Sequence, residues 1–264
     1  MARRRAFDPA PRASDAAIAE PRIVRLVLSY DGTAYAGWQA QAGPPTIQAL
    51  LTREARRLLG DDARVTGASR TDAGVHALGQ TVSLTTTSTL SPAAVLGALN
   101  AALPRDVRVR EACEAAPTFH ARFGARGKRY LYLIDNGRVA SPLLRRFAWH
   151  VPQRLDVDRM RAALAALRGR HDFSAFRAAA GRAQAPICVV RALHVMRRKH
   201  RVAVLISADR YLHHMVRTIV GSAIDVGRGA RDPAWLASVL AGRDRRHAGP
   251  TAPAHGLTLV RVVY

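Results

Sequence analysis

Apolar and polar residues alternate along residues 23–31, and this period of two predicts a strand. Residues 46–60 instead place their apolar side chains on one helical stripe, with Thr46 suited to cap the start of the helix and Gly60 its end. The first half of the chain therefore takes the order strand, helix, strand, strand, helix, strand. Its remaining elements are strands at 64–66, 80–87 and 107–112 and a helix that opens at Ser91-Pro92.

The second half of the chain repeats this order of elements. The helix at 212–227 turns five apolar side chains inward, namely Leu212, Met215, Val216, Ile219 and Val220. The other elements predicted here are strands at 128–136 and 256–264, two strands within 189–208 joined near Lys199-His200, a helix at 156–169 ending at Gly169, and a short helix capped by Asp232-Pro233.

Two such β-α-β-β-α-β units predict an α+β protein with mostly antiparallel sheets, similar to RRM or ferredoxin-like units. Two units side by side would form a long cleft between them. We divide the chain into a flexible basic arm at 1–22, an N-terminal α/β domain at 23–116 and a C-terminal α/β domain at 117–264.

The charge of the chain indicates what kind of partner the protein binds. Lys and Arg number 41 against 19 Asp and Glu, a formal net charge of +22, and so large an excess indicates a nucleic-acid partner and a basic cleft. Cys113 and Cys188 are too far apart for a CxxC motif, which argues against a disulfide framework or a cysteine zinc site. The sequence has neither a secretory signal nor an apolar run of membrane-spanning length, so we expect a cytoplasmic protein without a membrane partner.

The stretch "GASRTDAGVH", residues 67–76, is the strongest candidate for chemistry. In an extended segment Arg70 and Asp72 point the same way, and a carboxylate beside a guanidinium stays ionised at neutral pH. An ionised, positioned carboxylate can act as a nucleophile or a general base. The spacing alone also fits a purely structural role, an Asx-type turn with an Arg70–Asp72 surface pair. From spacing alone, that structural role is favoured about two to one.

Several ordered motifs resemble the tRNA pseudouridine synthase A family. The first are "YDGTAYAGWQAQ", "TIQALL" and "GASRTDAGVHALGQ", and "PTFHARFGARGKRYLYLIDN" follows at the centre of the chain. "HDFSAFR", "LHHMVRTIVGS" and "TAPAHGLTLVRVVY" complete the series in the same order, so the resemblance runs from about residue 23 to 264. Such a series is far harder to obtain by accident than one short pattern.

The resemblance implies an isomerase that converts uridine to pseudouridine at nucleotides 38, 39 and 40 of the tRNA anticodon stem-loop, with the pseudouridine synthase fold. It implies a homodimer that uses no cofactor and no metal. Asp72 matches the catalytic aspartate, Arg70 an arginine that displaces the target base, Tyr130 an aromatic that packs on the uracil, and Arg217 an arginine that pairs with the aspartate. For substrate binding we name Tyr130, Arg70, Arg177 as a phosphate contact and His214.

The chemistry suits those residue types. The reaction breaks the bond from C1′ to N1, turns the uracil and rejoins it through C5, and no atom or electron is exchanged. Asp72 could attack C1′, attack C6 or remove the 2′-proton, and the sequence leaves all three open. Extruding the base costs a few kcal/mol. Arg70 filling the vacated space and Tyr130 stacking on the base would offset that cost.

Other candidates receive non-catalytic interpretations. His213 and His214 are expected on different faces of a helix and so not at one metal, and His171-Asp172 likewise lacks a third ligand. His76 is interpreted as a hydrogen-bonded loop histidine, and Phe173 and Phe176 as core residues. The charge runs 197–199 and 243–247 fit a tRNA footprint.

Three positions depart from the family pattern, and one alternative function stays open. Ser69 stands where glycine is usual, Cys188 where an arginine is frequent and Thr258 where an aromatic is frequent, which bears on substrate contacts more than on chemistry. The alternative is a non-catalytic RNA-binding protein with two RRM-like units. Against this alternative, the sequence lacks the aromatic RNP1 pattern of RNA-binding RRM units, and RNA binding alone does not require Asp72.

Overall fold

The structure, a computed structural model, describes residues 20–178 and 185–264. The predicted basic arm lies outside these residues except at its last three positions. Within these ranges every helix falls short of the length and apolarity that a membrane span requires. The strands are β1 (Arg22–Tyr30), β2 (Arg64–Gly67), β3 (His76–Thr86), β4 (Val107–Ala115), β5 (Gly127–Asp135), β6 (Trp149–His150), β7 (Gly169–Asp172), β8 (Ile187–Arg198), β9 (Arg201–Ala208) and β10 (Leu257–Val263). The helices are α1 (Ile47–Leu59), α2 (Pro92–Ala102), α3 (Val157–Ala165), α4 (Met215–Gly227) and α5 (Trp235–Gly242).

The described strands form one ten-stranded sheet in the order β4-β1-β3-β10-β5-β9-β8-β7, with β2 beside β3 and β6 beside β5. Pairing is antiparallel except for β10 with β3 and β5 with β6. The α+β class and the mostly antiparallel sheet are therefore confirmed. Because β10 pairs with both β3 and β5, the last strand of the chain joins the two halves. The division into domains at residue 116 remains a prediction.

The helix starts follow from capping side chains. Thr46 accepts a hydrogen bond from the Ala49 amide, and Ser91 accepts one from the Ala94 amide ahead of α2. At the other end of α1, Gly60 takes the C-cap with φ +110°, a backbone conformation that favours glycine. The predicted caps of both N-terminal helices are confirmed.

The core lies along the faces that the sequence pattern indicates. In β1 the alternate residues Val24, Leu26 and Leu28 are fully buried, while the residues between them are half-buried. All five apolar residues predicted to face inward from the helix at 212–227 are buried, although Leu212 precedes α4, and Phe173 and Phe176 are buried too. Burying such a side chain contributes roughly 1.5–3 kcal/mol, so these faces hold the helices against the sheet.

Three predicted helices have different bounds. The helix expected at 212–227 begins at Met215, because His214 takes the left-handed conformation and is its N-cap. The helix expected to end at Gly169 ends at Ala165, because the Leu167 and Arg168 amides bond carbonyls three residues back and the chain turns into β7. The short helix predicted at Asp232-Pro233 begins at Trp235. The Asp232 carboxylate accepts from the Ala234 amide within the turn that precedes α5.

The strand predicted at 80–87 begins four residues earlier, at His76. Its early residues pair with β10, where His76 lies opposite Thr258 and Ala77 opposite Leu259. These partners are far apart in the sequence, so local pattern alone did not indicate the extension. His76 is consequently a strand residue rather than the loop histidine of the prediction.

Candidate active site at the junction of the two halves

The loop at residues 68–75 lies on one edge of β3, between two shorter strands that share that edge. Residues 82–85 of β3 pair with β2, and residues 76–77 pair with β10. After β2, the Ala68 amide still donates to the Thr81 carbonyl, and the chain then leaves the sheet. The loop therefore lies where the N-terminal half meets the last strand of the C-terminal half.

Asp72 forms its closest ion pair with Arg217, 145 positions along the chain. The Arg217 Nη1 donates to the carboxylate Oδ2 at 3.1 Å, and its Nε donates to the Ala252 carbonyl at 2.8 Å. Arg217 is the third residue of α4, so both the helix and Ala252 hold its guanidinium in place. The Arg70–Asp72 surface pair considered above is therefore not the pairing that the structure shows.

Two imidazoles also face the Asp72 carboxylate. Nε2 of His213 lies 3.6 Å from Oδ1 and Nε2 of His214 lies 3.5 Å from Oδ2, and the two rings are 3.9 Å apart. The expectation that these histidines point to different helical faces is wrong. They precede α4, and His214 takes the left-handed conformation with φ 62°, which turns both rings to one side.

Tyr130 forms a buried aromatic wall next to the carboxylate. Its hydroxyl lies 3.0 Å from the Ser69 hydroxyl, and the Tyr211 ring packs edge-on at 5.0 Å. Burial, together with the charge of Asp72, raises the pKa of Tyr130 to about 12 despite the opposing hydrogen bond from Ser69. The phenol is therefore neutral at physiological pH, and Tyr130 lines the same cavity as Asp72.

Ser69 contributes hydrogen bonds to this arrangement. Its amide donates to the Gln80 side-chain oxygen, and its carbonyl accepts from the Gln80 side-chain nitrogen. Its backbone does not adopt the left-handed conformation that would demand glycine. The serine is thus tolerated, and it adds the hydrogen bond to Tyr130.

A cavity of about 460 Å³ connects these groups. Asp72, Tyr130, Arg217 and His214 line it, and so does Arg70, whose side chain is exposed. Among the residues that the structure describes, Arg70 has no side-chain hydrogen bond or ion pair. Lys128 and Arg122 also line the cavity, and neither was singled out from the sequence. Besides Asp72, five site residues were named from the sequence. Four of them line the same pocket as Asp72: Arg70, Tyr130, Arg217 and His214.

Two glycines shape the approach to Asp72 for different reasons. Gly74 has φ +76°, so the turn after Asp72 uses a left-handed conformation that favours glycine. Gly67 has ordinary φ, but a Cβ there would lie 2.4 Å from the Trp38 ring. The buried Trp38 lines the cavity, and its amide donates to the Thr71 carbonyl at 3.0 Å. Trp38 therefore supports the loop, a role that the local sequence pattern did not indicate.

Arg177 does not line the cavity. It follows a short 3₁₀ turn at Ser174–Phe176, and the amide of its neighbour Ala178 donates to the His213 carbonyl at 3.0 Å. This places Arg177 beside the segment that carries the two histidines. Its role as a phosphate contact remains a prediction.

His76 lies outside the cavity lining in a fully bonded structural position. Its Nδ1 accepts from the Gly32 amide at 3.0 Å, and Nε2 lies 3.1 Å from the His255 carbonyl. Burial lowers the pKa of His76, although the Asp31 carboxylate opposes that shift. The expectation of a hydrogen-bonded, non-catalytic histidine agrees with this geometry.

Of the three departures, only Ser69 touches the cavity. Cys188 is buried in β8 and Thr258 is half-buried in β10, and neither is part of the lining. Cys113 and Cys188 are both free thiols.

Asp72, His213 and His214 place three ligand atoms within 4.8 Å of one another, close enough to share a cation. The Arg217 guanidinium already occupies the carboxylate Oδ2 and adds positive charge at 3.1 Å. Such a neighbour opposes a metal cation electrostatically. The donor set fits an ion-paired carboxylate better than a metal centre.

Comparison with solved structures returns a weak likeness to a "Crystal Structure of a Cbf5-Nop10-Gar1 Complex". The TM-score is 0.37 at 12% identity, over 89% of this chain and 48% of that one.

Comparison with sequences returns much stronger matches. A family model described as tRNA pseudouridine synthase matches residues 26–124 and 163–264. The chain is 45% identical over 245 residues to tRNA pseudouridine synthase A of Myxococcus xanthus, covering 92% of each chain. It is 46% identical over 243 residues to the protein of the same name from Methylococcus capsulatus, covering 91% of this chain and 89% of that relative. Both relatives match nearly the whole length of this chain.

Proposed function

This chain belongs to the tRNA pseudouridine synthase A family, and we propose that Asp72 is the carboxylate with which it isomerises uridine in tRNA. Family membership carries the reaction, uridine to pseudouridine, and the substrate class, tRNA. We further propose that the targets are nucleotides 38, 39 and 40 of the anticodon stem-loop, as the motif resemblance implies. The non-catalytic RNA-binding alternative is not favoured.

The observation that carries the role of Asp72 is its position in the cavity, ion-paired to Arg217 and next to Tyr130. Its side chain is 23% exposed, so a substrate can reach it, while the guanidinium is 15% exposed and fixed by the Ala252 carbonyl. A charge held by a preorganised partner needs little rearrangement when the substrate arrives. This supports a carboxylate poised for reaction rather than a surface ion pair.

The pocket supports base extrusion before chemistry. The uridine leaves its stack at a cost of a few kcal/mol and enters the pocket, where the Tyr130 ring stacks on the uracil. Arg70, exposed beside Asp72, fills the vacated position in the RNA, and His214 and Arg177 contact the substrate from the side of α4. Asp72 then reacts at C1′, at C6 or at the 2′-proton. The glycosidic bond from C1′ to N1 breaks, the uracil turns, C5 bonds to C1′, and the C5 proton is lost as N1 gains one.

The decisive experiment compares Asp72→Asn and Asp72→Ala with the unmodified chain on transfer RNA. We expect both variants to bind tRNA and to lose pseudouridine formation by at least about 10⁴-fold, since the reacting group itself is removed. Pseudouridine is mapped by chemical labelling and primer extension, with nothing added but buffer. Asp61→Ala, a change at an exposed aspartate outside the cavity lining, is the matched control and should keep full activity.

Two outcomes would contradict this proposal. Residual turnover near the unmodified rate in Asp72→Asn would remove Asp72 from the chemistry. Pseudouridine mapped only outside nucleotides 38 to 40 would reject the proposed target.

The homodimer and the cytoplasmic location are further proposals, supported by the resemblance to the family.

A further inference from the structure

The turn at residues 120–124, between β4 and β5, presents an aromatic ring to solvent. The side chain of Phe123 is 78% exposed, although aromatic rings are normally drawn into the core. One face of the ring packs against His120 with centroids 4.4 Å apart, and the Arg122 guanidinium lies 5.5 Å from its centroid. The ring is therefore supported on the protein side and left open to solvent.

The turn itself is rigidly built. His120 Nδ1 accepts from the amides of Arg122 and Phe123 at 3.1 and 3.2 Å, and the Gly124 amide donates to the His120 carbonyl at 2.9 Å. These bonds tie the residues that flank the ring to the His120 ring on which it packs. The turn therefore holds the Phe123 backbone in place, next to the imidazole on which its ring packs.

Two side chains from distant parts of the chain anchor this turn at Ala121. The Ala121 amide donates to the Ser83 hydroxyl of β3 at 2.8 Å, and its carbonyl accepts from the Tyr264 hydroxyl at 2.7 Å. The Tyr264 ring also packs on Phe119 at 5.1 Å. Anchors on both polar groups of one residue hold the turn against the sheet.

The turn continues into the Asp72 cavity through basic side chains. Arg122 lines that cavity together with Lys128 and Arg70. Burial and the charge of Arg122 lower the pKa of Lys128. Exposed aromatics joined to arginine and lysine are the elements with which proteins bind unpaired nucleotides, the ring for the base and the cation for the phosphate.

We propose that Phe123, backed by His120, stacks against an unpaired nucleobase next to the target uridine, while Arg122 contacts that nucleotide's phosphate. The proposal rests on the proposed function, because it assumes that the target enters the Asp72 cavity. It adds a second nucleobase position that holds the RNA on one side of the extruded uridine. The aromatic face, rather than hydrophobic area alone, is the feature that binds.

The test is a double-mutant cycle between protein and RNA. Phe123→Ala, Phe123→Leu and Phe123→Trp are assayed for Kd and pseudouridine formation on an anticodon stem-loop RNA and on copies with a single abasic nucleotide at each position flanking the target. On the intact RNA we expect Phe123→Ala and Phe123→Leu to bind about ten- to a hundred-fold more weakly and Phe123→Trp to bind as well as the unmodified chain. At one abasic position the penalty of Phe123→Ala should disappear.

Leu143→Ala is the matched control, since Leu143 is 87% exposed and lies outside the cavity lining. It should bind every RNA like the unmodified chain. An unchanged penalty of Phe123→Ala on all abasic RNAs, or full binding by Phe123→Leu, would overturn the stacking proposal while leaving the role of Asp72 intact. Failure of the unmodified chain to form pseudouridine in the intact RNA would instead count against the proposed function.

Discussion

At the scale of single residues, the Asp72 carboxylate is surrounded by basic groups from one short segment. His213, His214 and Arg217 all approach it within 3.6 Å, and Tyr130 adds a neutral ring beside them. Three such groups around one carboxylate fix its direction and offset its negative charge. The protonation of His214 therefore bears directly on the carboxylate.

A pH dependence follows for His214. Burial lowers its pKa below the ordinary value of 6.5; the Asp72 carboxylate opposes this shift, and the charges of Arg217, His213 and Arg245 reinforce it. The imidazole is neutral above that lowered pKa and becomes an imidazolium 3.5 Å from Asp72 below it. Because a cation that close makes the carboxylate a weaker nucleophile and base, we expect single-turnover rates to fall on the acid side.

His214→Asn tests this dependence, since asparagine tolerates the left-handed backbone at φ 62° and does not titrate. Its acid-side fall in a stopped-flow or quench-flow pH profile should move to lower pH. His194→Asn, at an exposed histidine of β8 outside the cavity lining, should leave the profile unchanged. Superimposed profiles for His214→Asn and the unmodified chain would remove His214 from the rate-controlling ionisation.

At the scale of elements, the active loop depends on how β2 and Trp38 meet. The amide of Trp38 holds the Thr71 carbonyl, and its ring lies against Gly67 at the end of β2. Any side chain at Gly67 displaces the indole, and the loop that carries Asp72 would move with it. Gly97, in the middle of α2, has no neighbour that a side chain would displace.

We therefore expect opposite effects from two glycine-to-alanine changes. Gly67→Ala should lower the free energy of unfolding by about 1–3 kcal/mol through overpacking against Trp38. Gly97→Ala, inside α2 where a Cβ meets nothing within 4 Å, should raise it by about 0.5–1 kcal/mol. Urea denaturation followed by circular dichroism measures both. A stability loss in Gly97→Ala as large as that in Gly67→Ala would contradict this account of the junction.

At the scale of the whole molecule, the net charge of +22 favours binding to RNA, and the salt concentration controls how tightly the RNA binds. The two charge runs named from the sequence lie in different places. Arg245 of the 243–247 run is close enough to lower the pKa of His214, whereas 197–199 lies at the β8–β9 hairpin. That hairpin is one strand length, roughly 25 Å, from the end of β9 nearest the cavity.

We expect tRNA affinity to fall steeply with salt, by about 10³-fold or more between 50 and 200 mM if six or more phosphates are contacted. Filter binding over a salt series gives the slope. Arg122→Ala, in the cavity lining, should reduce the slope by about one phosphate contact, while Arg198→Ala at the hairpin should not. A flat salt profile would contradict phosphate binding altogether, and an equal reduction by both changes would reject a tRNA path confined to the cavity end of β9.

Local features were predictable from the sequence because their causes are local. The cap residues Thr46 and Ser91, the inward face of α4 and the excess of basic charge each depend on neighbours within a few positions. The motifs around Asp72 also carried the family and the reaction. Helix ends near residues 166 and 233 were less accurate, since weak turn bonds at those ends compete with helical ones.

Only the tertiary structure decided which distant residues meet. The parallel pairing of β10 with β3, the Ser69–Tyr130 hydrogen bond and the turn of His213 and His214 toward Asp72 join positions 61 to 182 residues apart. A side chain's sequence period specifies its face but not the strand or loop opposite. That choice is made by the packing of the whole sheet, and here it places the pocket at the junction of the two halves.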